Sequence, residues 1–311
     1  MRARIRPEEA LLVIYAVALV AIMAVTGHWS FTSTMHVRFL QCFLGLALLI
    51  LARGWVRADG YGWSAIRTAL PPALTVVRDF TPFLLALLLY ESLHDLTPLI
   101  RHDVVDGTLI AIDRRLFHVD VAVWMGRFAT PLLTRYLVFC YLSYFFAPAI
   151  LAALIYWTGE RQLFREFLVS LCVTTLLGYS GYLLVPAVGP YVFQAQLFDG
   201  GRLPGGGLAS QSSFIYTIDA WKGYARDCFP SLHTAHTTVV LVFARRFSRR
   251  AFLAYLPIAL GLYVSTMYLR MHYAIDVAAG FATAALAIWI GPRLERWWHG
   301  DDSLRAARQP E

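Results

Sequence analysis

The sequence predicts an all-α, polytopic membrane protein of about eight transmembrane helices, with amphipathic interfacial helices between some of them. Three observations carry this. Hydrophobic residues make up 58% of the chain and the mean hydropathy is +0.56. Charged residues are 15%, against about 25% in soluble proteins. Apolar runs long enough to cross a bilayer alternate with short arginine-bearing connections, and no polar stretch is long enough to fold alone. The net charge of +7 lies mainly in those connections, which makes it topogenic and excludes nucleic acid as the expected partner.

In chain order, Leu11–Val25 and Phe39–Leu51 read as the first two spans. The opening M-R-A-R-I-R-P-E-E lacks a small-residue cleavage site after its apolar run, so that run is read as a span rather than a leader. Arg53, Arg57, Arg67 and Arg78 crowd the next connection, whose piece Trp63–Val77 suits the interface, and Phe80–Leu93 is the third span. Arg101–Arg127, with D-R-R-L-F-H-V-D at Asp113–Asp120, is too polar to cross and reads as one or two interfacial helices. Leu132–Trp157 and Phe167–Leu184 are the fourth and fifth spans. A long connection follows, with D-G-G-R-L-P-G-G-G at Asp199–Gly207 as a loop. A hairpin from Pro230 to Leu269 supplies spans six and seven, and Tyr273–Ile290 is the eighth. The expected divisions are a two-helix N-terminal piece over 1–78, a catalytic core over 79–291 and a polar tail over 292–311.

With an even number of spans, the N-terminus, the Arg53–Arg78 connection, Gly159–Arg165, Arg245–Arg250 and the tail share one side. These are the basic pieces, so that side is cytoplasmic. Of four cysteines, Cys42, Cys140 and Cys172 lie in apolar runs and Cys228 in a loop; their spacing suggests neither a disulfide framework nor a metal knuckle. No metal and no cofactor are expected.

The chemistry concentrates in Arg226–Asp276, which reads R-D-C-F-P-S-L-H-T-A-H, then an apolar hairpin, then Y-L-R-M-H-Y-A-I-D. Ionisable groups at the ends of apolar segments are costly and usually functional. A helix opened by Pro230 carries His233 inward, and at about 1.5 Å per residue the segment Ala251–Leu269 returns across the bilayer. His272 thus comes back to the face that His233 left. Asp276, at i+4 from His272, is placed to hold its imidazole. A neutral imidazole of fixed tautomer is a nucleophile, and free N–H groups at a helix start suit a phosphate.

These motifs resemble a known family. P-S-L-H-T at Pro230–Thr234 and S-T-M-Y-L-R-M-H-Y-A-I-D at Ser265–Asp276 look like the second and third signatures of the type-2 phosphatidic acid phosphatase superfamily. The H-Y-x-x-D form is closest to its inositol phosphorylceramide synthase and sphingomyelin synthase branch. The resemblance implies a six-helix core, with His272 as the nucleophile, Asp276 orienting it, His233 as general acid, and Ser231 with nearby amides binding phosphate. It implies a membrane phospholipid donor and a lipid, polyol or water acceptor. Two departures stand out: Thr266 occupies a position that commonly holds Arg, and the first signature is not present in clean form. Arg270, Arg226 and Lys222 are the candidates for the missing positive charge. V-P-A-V-G-P-Y at Val185–Tyr191 resembles a stretch near the first signature in this branch, and reads equally as a proline-stiffened helix exit.

Blander readings stand beside each of these. His236, at i+3 from His233, reads as a helix-face histidine bonded to a neighbour. Arg270 suits phosphate binding or snorkelling to the interface. Arg226 and Lys222 suit either a phosphate clamp or ordinary loop charge, and Asp113, Arg114 and Arg115 suit salt bridges on an interfacial helix. Two rival classes are a zinc enzyme using His233, His236, His272 and Asp276, and a lipid transporter. The layout lacks the two matching broken-helix halves that a transporter would show.

Overall fold

The computed structural model describes residues 5–26, 101–198, 203–204 and 226–299, with scattered positions between 78 and 100. The expected span Phe39–Leu51, Lys222 and residues 300–311 lie outside the described residues, and Phe80–Leu93 is described only in part, its described positions being helical. The chain forms two compact units, Met1–Leu96 and Thr97–Glu311.

In the first unit, α1 (Pro7–Thr26) is the expected first span. Its start is tied to residues 78–79 by Arg6–Asp79 at 2.5 Å and Arg78–Glu9 at 2.6 Å. The basic N-terminus and the end of the arginine-rich connection therefore meet, as the shared-side reading requires.

The second unit begins with the two expected interfacial helices, α2 (Asp106–Phe117) and α3 (Val121–Met125). Arg114 and Asp120 pair across their junction at 2.7 and 2.9 Å, and this hydrogen-bonded guanidinium holds the Asp120 carboxyl below the usual range. Asp113 does something else. Its carboxylate accepts the N–H groups of Ala274 at 2.7 Å and Ile275 at 2.9 Å, capping the last helix of the chain from a distant segment. Burial pushes the Asp113 carboxyl up in spite of those donors.

The fourth expected span is not one helix. It is α4 (Pro131–Leu142), a 3-10 turn at Ser143–Phe145, and α5 (Ala147–Trp157), bent by 53°. Pro148 in the first turn of α5 has no N–H to bond backward, so the ladder stops there. Next come α6 (Arg161–Leu184), a short α7 (Pro190–Phe193), α8 (Leu232–Phe247), α9 (Arg249–Tyr268) and α10 (Ala274–His299). α10 continues through Pro292 to His299, so residues 292–299 extend the helix instead of starting the tail. Among the described residues, α1, α6, α9 and α10 are long and apolar enough to cross a membrane, and the bent pair adds a fifth candidate; of the other three expected, Phe39–Leu51 lies outside the described residues, Phe80–Leu93 is described only in part, and α8 has 16 residues.

Small residues let α6, α8 and α10 approach. A Cβ on Gly178 or Gly181 would strike Leu232 or Pro230, and one on Gly280 would lie 2.6 Å from the Ser231 carbonyl oxygen. α8 is thereby seated between α6 and α10. At the end where α6 begins and α8 and α10 finish, Glu166 accepts from Arg246 (2.5 Å) and Arg296 (2.8 Å), while Glu295 pairs with Arg165 and His299. Three of the expected basic pieces, Gly159–Arg165, Arg245–Arg250 and the end of α10, thus gather at one end of this unit. The motif residues lie at the other.

Replacing Asp113 by Ala removes two N-terminal caps from α10 and is expected to cost about 0.5–2 kcal/mol, the usual scale for losing a cap. Thermal unfolding in detergent checks this: Asp113→Ala lowers the midpoint distinctly, whereas Arg114→Ala, which breaks an exposed pair, barely moves it.

Candidate active site

Two loops converge at the motif end: residues 226–231 ahead of α8, and residues 269–273 between α9 and α10. The second is closed by the Thr266 carbonyl, which accepts the N–H groups of Met271 (2.9 Å) and His272 (3.0 Å). Arg270 inside it is left-handed, φ 66°, a conformation costing a non-glycine residue roughly 1–2 kcal/mol. The first loop is closed by Ser231, whose N–H donates to the Asp276 carbonyl at 3.1 Å. Its hydroxyl accepts the Thr234 N–H at 3.3 Å, so α8 opens at this N-cap rather than at Pro230.

The stretch V-P-A-V-G-P-Y is the third wall. Ala187 bridges to Asp227, its carbonyl accepting the Cys228 N–H at 3.1 Å, and the Tyr191 N–H donates to the Arg270 carbonyl at 2.8 Å. Gly189 has φ 84°, and a Cβ there would lie 2.6 Å from the Met271 carbonyl oxygen. The N–H groups of Val188 and Gly189 are held by the Asp106 carboxylate at 3.0 and 2.8 Å. The Tyr273 hydroxyl donates to the same carboxylate at 2.9 Å. Burial, then Asp106 beside it, pushes that phenol far above its ordinary range, so it stays a donor.

His272 is buried where these segments meet. Its Nδ1 lies 2.9 Å from the Cys228 carbonyl oxygen and 3.6 Å from Asp276 Oδ2. The expected direct hydrogen bond to the carboxylate is replaced by one to a backbone carbonyl. A carbonyl only accepts, so Nδ1 carries the proton and Nε2 presents its lone pair. Asp276 contributes charge: unit charges about 4 Å apart interact by about 4 kcal/mol at an effective dielectric near 20, which steadies a developing imidazolium. Asp276 Oδ2 accepts the Tyr273 N–H (2.8 Å) and the Cys228 thiol (2.8 Å), while Oδ1, also buried, has no hydrogen-bond partner. Burial, with Asp276 second, pushes the Cys228 thiol well up, which keeps it protonated and donating.

His233 and His272 do face each other, with His233 Nδ1 at 3.3 Å from His272 Nε2. The His233 ring is stacked on Tyr141 at 4.5 Å and lies 4.2 Å from Tyr144, with Phe145 edge-on at 6.4 Å. Tyr141 comes from the last turn of α4, and Tyr144 and Phe145 from the 3-10 turn at the break that follows it. His236 behaves as its bland reading expects: Nε2 lies 2.8 Å from the Thr175 hydroxyl and Nδ1 3.2 Å from the Tyr144 hydroxyl. The four-residue zinc set is therefore not assembled. The grouping that does form is Cys228, His272 and Asp276, with ligand atoms within 4.8 Å of one another.

Of the basic candidates, Arg270 is buried two residues from His272, its guanidinium 4.1 Å over the Phe198 ring. Arg226 Nη1 donates to the carbonyls of Arg101 (2.7 Å) and His102 (2.9 Å), which makes it a tie between loops. Ser231 is fully buried with its hydroxyl engaged as the cap.

The family model described as the PAP2 superfamily matches residues 107–290, more than half of the chain. The chain belongs to the PAP2 superfamily. Phosphoinositol dihydroceramide synthase of Bacteroides thetaiotaomicron is 29% identical over 160 residues, covering 48% of this chain and 52% of that relative. The match thus spans about half the relative's length. No solved structure matches.

In this PAP2 chain the residues that sequence reasoning missed are Cys228, Asp106, Asp113, Tyr141 and Tyr144. Cys228 sits within the quoted motif, two residues before Pro230, but a bond made by its carbonyl leaves no trace in residue type. Pro148 was the available signal for the break that brings the tyrosines in.

The two histidines of α8 separate the roles. His233→Asn is expected to slow turnover by about 10²–10⁴-fold, the scale of a lost general acid. His236→Asn costs thermal stability but leaves turnover per folded molecule within a small factor, as rates normalised to folded protein would show.

Proposed function

We propose that this protein is a lipid phosphotransferase that moves a phosphorylated head group from a membrane phospholipid to an alcohol through a phosphohistidine at His272. The observation that carries the reading is the His272 imidazole, with Nδ1 on the Cys228 carbonyl and Nε2 facing His233. Membership of the superfamily and the presence of several apolar helices support a membrane-embedded enzyme acting on phospholipid.

In the first step Nε2 attacks phosphorus. The N–P bond forms as the bond to the leaving oxygen breaks, and His233 gives that oxygen its proton. The positive charge on the imidazole is steadied by Asp276. Arg270 and the first N–H groups of α8 face the phosphate oxygens, with Ser231 holding that helix start in place. In the second step His233 takes the acceptor's proton, the new O–P bond forms and the N–P bond breaks.

The acceptor is read as a long-chain lipid hydroxyl. The H-Y-x-x-D form, Thr266 in place of the common Arg, and the printed name of the Bacteroides relative favour transfer over hydrolysis. A lateral apolar cavity of about 600 Å³, lined by Phe117, Trp124, Met267, Ala274, Val277 and Phe281, lies beside the start of α10 and suits an acyl chain. The arginines gathered at the opposite end support the reading that the site faces the extracytoplasmic side, with a bacterial inner membrane the fitting setting.

The test gives purified protein in detergent labelled phosphatidylinositol, phosphatidate and dihydroceramide, with EDTA present. A phosphorylated ceramide is expected from wild type, reduced by about 10⁴-fold or more in His272→Ala, the order lost with a covalent nucleophile. Phosphate released from phosphatidate alone would make water the acceptor. Full activity in His272→Ala, or silence of the wild type in EDTA, would overturn the phosphohistidine mechanism.

A further inference from the structure

The grouping of Cys228, His272 and Asp276 has a property that phosphoryl transfer does not use. Cys228 Sγ, His272 Nδ1 and Asp276 Oδ2 form a triangle with edges of 2.8, 3.5 and 3.6 Å. Three ligands on a tetrahedral zinc, with Zn–S near 2.3 Å and Zn–N or Zn–O near 2.0 Å, stand about 3.3–3.5 Å apart. The 3.5 Å edge fits, the 3.6 Å edge need close only by a few tenths of an ångström, and the third opens once the S–H···O bond is exchanged for two bonds to a metal. Asp276 Oδ1, buried beside them, has no hydrogen-bond partner to give up on meeting a metal. A dication with a thiolate, a carboxylate and a neutral imidazole has no net charge, which suits a site where all three residues are buried. The softness of sulfur selects Zn²⁺ or Cd²⁺ over Mg²⁺ or Ca²⁺.

We propose that Cys228, His272 and Asp276 bind a thiophilic divalent cation, and that its binding switches the nucleophile off. The protons balance as follows. The thiol proton leaves to solvent. A metal on Nδ1 takes that nitrogen's lone pair, so the proton of the neutral imidazole moves to Nε2, and the His233 proton that faced it shifts to His233 Nε2, leaving His233 Nδ1 to accept from 3.3 Å away. Nε2 then has no lone pair with which to attack phosphorus. The Nδ1 bond to the Cys228 carbonyl is lost, and Asp276 is neutralised by the metal instead of by an imidazolium. Because Cys228 and His272 are only 3% and 4% exposed, onset is slow and reversal by chelator is slower still. The cation is therefore an inhibitor read through the tautomer of His272, distinct from the zinc-dependent hydrolysis that the histidines alone suggested.

The experiment uses tag-free full-length protein in detergent and Cd²⁺ as probe. Wild type is expected to take up one equivalent with a thiolate-to-cadmium charge-transfer band in the ultraviolet. Cys228→Ser, which keeps a donor to Asp276 but removes sulfur, loses the band. Binding weakens by more than about tenfold, the scale lost when even an outer-shell partner of a metal site is removed. Zn²⁺ inhibits wild type with slow onset and EDTA restores the rate, each variant being read against its own metal-free rate. Should Cys228→Ser fold poorly, His272→Ala read by the same band decides, since it keeps the thiol and loses the nitrogen. Absence of the band at one equivalent, or equal Zn²⁺ sensitivity in Cys228→Ser, overturns the proposal. The band is independent of turnover, so a protein that binds Cd²⁺ but transfers no head group would sink the functional reading and leave this site standing.

Discussion

Buried carboxylates met by backbone N–H groups are the constraint on which the rest of this site depends. An ionised carboxylate out of water is strongly unfavourable unless its oxygens are hydrogen-bonded. Asp106 takes the amides of Val188 and Gly189, Asp113 those of Ala274 and Ile275, and Asp276 that of Tyr273. Each acceptor lies on one segment and its donors on another, or across a tight turn. The loops around His272 therefore cannot part without stranding a charge, and the site is held rigid by the cost of opening it.

That rigidity serves a chemical purpose. A neutral imidazole has two tautomers, and only one leaves Nε2 able to attack. The Cys228 carbonyl selects it, because Cys228 is pinned on one side by Ala187 and on the other by Asp276. The carboxylate is left at charge range, where it favours the imidazolium without competing for the Nδ1 proton. The same packing that fixes the His272 tautomer also brings a thiol, a nitrogen and a carboxylate to metal-ligand spacing. Electrostatics along the bundle repeat the division: Glu166 and Glu295 neutralise arginines at one end, and at the other Arg270 lies against the Phe198 ring, two residues from His272.

That His233 and His272 meet was legible from P-S-L-H and H-Y-A-I-D, because a helix hairpin of known rise brings its two ends to one face. The bland reading of His236 was also legible, since i+3 spacing puts it one turn deeper on the face of His233, where Thr175 and Tyr144 engage it. What was not legible is what backbone atoms do. The Cys228 carbonyl and the amides held by Asp106 and Asp113 belong to no residue type, and their partners are distant in sequence. Arg226 read as a possible clamp because charge near a motif is visible, whereas the loop carbonyls that engage it are not. The continuous apolar run Leu132–Trp157 hid the break that puts Tyr141 and Tyr144 on His233, although Pro148 marks it. Span boundaries were less secure than span existence, as α10 shows by running on past Pro292.

The most direct test is to quench the enzyme during a single turnover with labelled phospholipid and identify the phosphorylated atom. Digestion under alkaline conditions, which preserve a phosphorus–nitrogen bond, followed by phosphorus NMR of the isolated peptide separates the two ring positions. The account predicts the phosphorylated head group on Nε2 of His272, accumulating when acceptor is withheld. Phosphate on Nδ1, on His233, or on no histidine at all would contradict it.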